Sequence, residues 1–180
     1  MDILTLDVET EAIVNGAAKN PKIVGVALKE DDQDGYYLSW GHPTNNNCTF
    51  EEAKKHLQDT IPMAKGVLNH NAKYDARCIL ETFGINYLGV VHDTLFLAYI
   101  NDPREKSLRL KDLADKYLNM PPDEQEELRD WLVANVKKAT AKNFGAHISL
   151  APGDLVGRYA VGDVTRTYGL YQYFKKELGV

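Results

Sequence analysis

Signals for extended structure crowd into the first 40 residues of this chain, and that uneven distribution restricts the folds open to it more than any other feature. ILTLDV at 3–8, KIVGVALKE at 22–30 and GYYLSW at 35–40 read as strands, the last two joined through the DDQDG turn as a hairpin. Thr49 then caps FEEAKKHLQDT, with glutamates in the first turn, as a helix. GVLN at 66–69 reads as a short buried strand. Asn71 is expected to cap a helix through AKYDARCILETF that Gly84 ends, and Val90 and Val91 begin another short strand before Asp93. From Thr94 onward the periodicity is helical: TLFLAYIN, then LRLKDLADKYL with Leu110, Leu113, Ala114 and Leu118 on one face, then DEQEELRDWLVANVKKAT, then a last helix from about Asp154 to Leu178. TAKNFGAHISLAPG at 140–153 reads as a surface loop. Strands followed by alternating strands and helices predict an α/β domain, taken as one unit over 1–180.

Bulk properties narrow the function classes. Hydrophobic residues make up 44% and charged residues 26%, which is ordinary for a globular protein and argues against disorder. No apolar run approaches the ~20 residues of a membrane helix, and the start lacks a basic segment followed by an apolar one. Cys48 and Cys78 form no CxxC pair and are too few for a disulfide framework. A soluble cytoplasmic protein without membrane partners is expected. A net charge of −5 opposes a broad basic surface wrapped on duplex DNA. It leaves room for an acidic site whose bound cations reverse the local field. The five histidines (His42, His56, His70, His92 and His147) have no zinc spacing, and phosphate-loop glycine motifs are missing.

The chemistry gathers on a few acids. Asp7 and Glu9 in LDVET are two apart on a strand and project to one face, so both carboxylates can reach one ion. An isolated pair of this kind is more often a strand end meeting solvent. Tyr159 and Asp163 in RYAVGD are four apart and share one helix face. Asp75 falls about one turn into the helix after an apolar strand, where α/β sheets build sites; alone it could simply favour the helix dipole. Carboxylates are the ligands that hard divalent cations take, and two such ions can offset the charge built up in phosphodiester hydrolysis. A phenol of pKa about 10 is a poor base at neutral pH, so Tyr159 is assigned to orienting the attacking water.

In LDVET, NHNAKYDARCIL, SLRLKDLADKYL and GRYAVGDVTRTYGLY the chain resembles the DEDD superfamily of 3′→5′ exonucleases in its tyrosine variant, above all the proofreading domains of family A DNA polymerases such as those of bacteriophages. The histidine variant would place His five residues before Asp163, where Arg158 stands. The resemblance implies a ribonuclease H-like fold, a mixed central sheet of about five strands flanked by helices. It further implies Asp7, Glu9, Asp75 and Asp163 as carboxylates for two Mg2+ ions, with Mn2+ able to substitute, and Tyr159 as the water-orienting residue. Thr10, Ile13, Asn71 and Tyr74 become substrate contacts, Ile13 as an apolar wedge at the last base; a core isoleucine is the alternative. The implied substrate is a single-stranded DNA 3′ end, cut to nucleoside monophosphates during replication, with a polymerase domain or subunit as partner. An exoribonuclease of the same superfamily, or an idle module that binds single strands or docks to a replication protein, stay open as alternatives. The stretch 120–152 is longer than the minimal pattern. Arg104, Lys106, Arg109, Lys111 and Lys116 concentrate positive charge, usually a solvated face and here a candidate backbone contact.

Overall fold

Alternation along the first strand sorts the molecule into two faces. The computed structural model describes residues 1–14, 20–87 and 89–179. In β1 (Ile3–Thr10), Leu4, Leu6 and Val8 turn to one side and are buried with Leu57, Cys78, Ile79 and Phe83. The intervening Thr5, Asp7 and Glu9 therefore turn to the other side. Leucines buried this completely each contribute about 1.5–3 kcal/mol through removal from water.

Around β1 the sheet has five strands in the order β3-β2-β1-β4-β5. β2 (Ile23–Glu30) pairs antiparallel with β1 and with β3 (Tyr36–Ser39), the predicted hairpin. β4 (Gly66–Asn69) and β5 (Val90–Asp93) continue parallel to β1 on its other side. The register of β1 against β2 shifts at Glu9/Thr10, an irregularity that re-aims side chains at the strand's carboxyl end.

α1 (Phe50–Thr60) begins at Thr49, whose hydroxyl accepts from the Glu52 amide while its own amide donates to the Glu52 carboxylate, a complete capping box. α2 (Ala72–Phe83) follows β4 and ends at Gly84, whose φ of 71° is the left-handed conformation glycine adopts freely. Its start differs from expectation. Asn71 sits at φ 72° and its side chain makes no capping bond; the carboxylate of Asp93 instead accepts from the Asn71 and Ala72 amides at 2.9 and 2.8 Å. Asp93 also caps α3 (Thr94–Asn101) through the Leu95 amide at 2.9 Å, so one side chain at the end of β5 ties two helices together.

α4 (Leu110–Leu118) and α3 pack on α6 (Gly153–Leu178) through Ala98, Leu113, Ala114, Leu170 and Phe174. α6 crosses the sheet face that carries Asp7 and Glu9, burying Val156, Ala160 and Val164 against Ala27 and Tyr37. α5 (Asp123–Asn135) is shorter than the pattern through 140 predicted, because Val136 leaves the helical conformation. Residues 140–153 are not a plain surface loop. Phe144–Leu150 form a 3-10 helix, with Ile148 and Ala151 buried among Leu128, Leu132 and Val156. No helix among the described residues is long and apolar enough to cross a membrane.

Candidate active site

Three carboxylates meet where β1 passes under α6. One oxygen each of Asp7, Glu9 and Asp163 lie within 4.8 Å of one another. Strand periodicity delivers the first two, and α6 lowers the third onto them from above. Glu9 stands opposite Gly25 of β2, where any side chain would run into the Tyr37 ring. Glu9 is 7% and Asp163 6% exposed, while Asp7 is half-buried.

Like charges this close and this dry resist ionisation. Burial, with Asp163 next to it, pushes the Asp7 carboxyl up to about 7. Burial, followed by the charges of Asp7 and Asp163, holds Glu9 well above the carboxylate range. Asp163 is raised by burial and eased back by Lys111. One oxygen of Asp163 is buried without a hydrogen-bond partner. An all-oxygen donor set that repels itself and leaves a buried lone pair unused fits hard divalent cations.

Asp75 stands slightly apart from the close set. It is 2% exposed, and its Oδ1 accepts the Val8 amide at 3.0 Å, so α2 is fastened to β1 between Asp7 and Glu9. Burial and the charge of Asp7 raise it well above the ordinary carboxylate value. It is electrostatically part of the cluster while one of its oxygens holds backbone.

Tyr159 lies one turn before Asp163 on the same face of α6. Burial, then the charges of Asp163, Glu9 and Asp7, hold its phenol well above 10, so it keeps its proton and is unfit as a base. Lys111 spans both residues, its Nζ 2.8 Å from Asp163 Oδ2 and 4.0 Å from the Tyr159 ring centroid. In the sequence Lys111 stands out only as part of a basic span. The available signal was its place in the first turn of α4, where the helix dipole disfavours a cation unless an acid compensates. Arg166, three residues after Asp163 and 3% exposed, grips Glu124 and the Pro121 carbonyl and so locks the start of α5 to α6 beneath the site.

Two cavities open on either side of the carboxylates. One of about 350 Å3 is lined by Asp7, Asp163, Tyr159, His70 and two cationic side chains, Lys111 and the exposed Arg109. Both ring nitrogens of His70 are engaged. Its Nδ1 meets the Thr94 hydroxyl at 2.8 Å, its Nε2 meets the Leu108 carbonyl at 2.9 Å, and burial lowers its pKa. The second cavity, about 340 Å3, runs from Glu9 and Thr10 past Ile13 and Tyr74. The Thr10 and Tyr74 hydroxyls are 3.0 Å apart. Ile13 is 66% exposed, which removes the reading of a core isoleucine. Asn71 is exposed and lines a neighbouring hollow with Tyr74 and Arg77.

A 3′-5′ exonuclease family model matches residues 1–179. The DNA polymerase of Escherichia phage T5 is 25% identical over 177 residues, 95% of this chain and 20% of that polymerase. The chain thus spans about a fifth of the length of the curated relative it matches. Among solved structures, Brucella melitensis NrnC with bound Mg2+ superposes with a TM-score of 0.64 at 13% identity, over 99% of this chain and 74% of that one. Escherichia coli RNase D gives 0.63 at 17%, over 99% and 40%. Pol1 of M. smegmatis gives 0.61 at 18%, over 98% and 24%. At these identities the structures establish the shared fold, including the ribonuclease H-like arrangement of the mixed sheet.

Proposed function

Because the chain belongs to the 3′-5′ exonuclease family, we propose that it hydrolyses single-stranded DNA from the 3′ end, releasing nucleoside monophosphates, and serves as the proofreading site of a DNA polymerase. The single observation that carries the reading is the close set of Asp7, Glu9 and Asp163 with Tyr159 beside it. DNA is favoured because the relative found by sequence is a polymerase, whereas the likeness to RNase D and NrnC is one of fold.

Asp7, Glu9 and Asp163 would hold two divalent ions, Mg2+ or Mn2+, with Asp75 completing the set. When bound, the ions supply charge to offset the developing negative charge on attacking and leaving oxygens. The chain's own residues do the rest. Tyr159, kept protonated, presents its hydroxyl to the attacking water and fixes its line of approach to phosphorus. Arg109 and Lys111 face the cavity in which the strand's phosphates are drawn in and paired. Thr10, Asn71 and Tyr74 flank the terminal nucleotide. Ile13, exposed at the mouth, takes the place of the neighbouring base in the stack; unstacking a base costs a few kcal/mol that such contact returns.

The test compares matched DNA and RNA oligonucleotides, labelled at the 3′ end, with and without Mg2+. Faster release of the labelled mononucleotide from DNA is expected. A preference for RNA would make the chain an exoribonuclease, and binding without cleavage of either would make it an idle module.

A further inference from the structure

The longer stretch between α4 and α6 has a use that the carboxylate cluster does not explain. The 3-10 helix at Phe144–Leu150 lies against β1, and its Gly145 and Ala146 line the second cavity together with Glu9, Thr10, Ile13 and Tyr74. α5 acts as the buttress. Leu128 and Leu132 bury Ile148 and Ala151, and Asn143 closes the preceding turn, its Oδ1 accepting the Thr140 amide and its Nδ2 donating to the Lys138 carbonyl.

The two cavities differ in charge. The first sets two cations, Arg109 and Lys111, among its acids Asp7, Asp112 and Asp163, whereas the second is lined by apolar groups, hydroxyls and the acids Glu9 and Glu11, with no cation among its described lining residues. A phosphate finds no cationic partner there, and a neutral nucleobase needs none. At about 340 Å3 it falls near the lower end of the range for small-ligand sites, room for one nucleoside. Tyr74, held by its contact with Thr10, offers an aromatic face.

Resting on the exonuclease reading above, we infer that Gly145 and Ala146 form a wall of the slot that holds the base of the 3′-terminal nucleotide, and that α5 is present to carry that wall. Gly145 has no positive φ, and nothing lies within 4 Å of where its Cβ would stand, so a larger side chain enters open space without strain on the fold.

The experiment uses Gly145→Phe and Ala146→Phe, checked for unchanged melting temperature. Each is assayed on a strand ending in a normal nucleotide and on one ending in an abasic residue. At least one variant should raise KM for the normal strand roughly 5- to 100-fold, the range for losing the contacts of one stacked base, and leave the abasic-ended strand unchanged. Equal slowing on both strands, slowing of the abasic strand alone, or no effect of either variant overturns the slot. A wild-type protein inert on both strands would instead sink the exonuclease reading, and the slot with it.

Discussion

Lys111→Met removes the only charge that the described structure places directly on Asp163 from outside the acidic cluster at under 3 Å, and its consequence can be estimated. The ammonium is 2.8 Å from Asp163 Oδ2, close to where an ion bound to that oxygen would stand, since Mg2+–oxygen distances are about 2.1 Å. Lysine must therefore withdraw when the ion enters. At a separation of about 6 Å, a divalent ion and an ammonium repel by about 1.4 kcal/mol at the dielectric of water and several times more in a protein interior. For a pair this buried the smaller figure is a lower bound, and it corresponds to about tenfold in affinity. Methionine keeps the length of the side chain and drops the charge. Calorimetric titration of metal-free protein with Mn2+ should show Lys111→Met binding at least about tenfold tighter than wild type. Its metal-free form should melt lower, because Asp163 loses its buried partner. Unchanged or weaker Mn2+ affinity would refute the reasoning, showing that Lys111 arranges Asp163 for the ion and does not compete with it.

Asp7→Ala and Asp163→Ala should each lower turnover by at least ~100-fold while circular dichroism keeps its wild-type form, since each removes a ligand to the reacting centre. Tyr159→Phe should reduce kcat by about 10- to 1,000-fold with metal affinity unchanged; weakened metal binding at undiminished turnover would contradict its assignment. Asp7 titrates at about 7 when folded and near 4 when unfolded, so between those values the folded state holds the extra proton and Asp7 costs stability as pH rises. Melting curves of metal-free Asp7→Asn against wild type should show the variant's advantage growing from pH 4 to above 7; a constant difference would contradict the raised carboxyl. Asp93→Ala strips the acceptor from three amides, those of Asn71, Ala72 and Leu95, and denaturant titration should show a loss of roughly 2 kcal/mol or more.

Much of the fold was legible because local signals agreed with tertiary demand. The alternation in ILTLDVET set β1 and its two faces, Thr49 and Glu52 announced α1, and Gly84 ended α2. Asp7, Glu9, Tyr159 and Asp163 were legible as a group because strand and helix periods put each pair on one face before any contact was known. The errors came from partners distant in sequence. Asn71 has the right residue type for a cap, but Asp93, about 20 residues on, reaches those amides first. Residues 140–153 lack periodicity and read as a loop, yet burial of Ile148 and Ala151 against α5 draws them into the core. Lys111 looked like a solvated charge because its two partners come from α6, some 50 residues later.

The direction and metal dependence of cleavage test the metal centre most directly. In a single-turnover experiment, a DNA strand labelled internally at its last phosphodiester is mixed with metal-free protein, and Mg2+ is then added. The predicted result is no cleavage before Mg2+, release of the 3′-terminal nucleotide as a monophosphate after it, and stepwise shortening from that end. Cleavage before Mg2+ is added and with EDTA present, or a first product taken from the 5′ end, would contradict the assignment of Asp7, Glu9 and Asp163 as the metal centre of a 3′→5′ exonuclease.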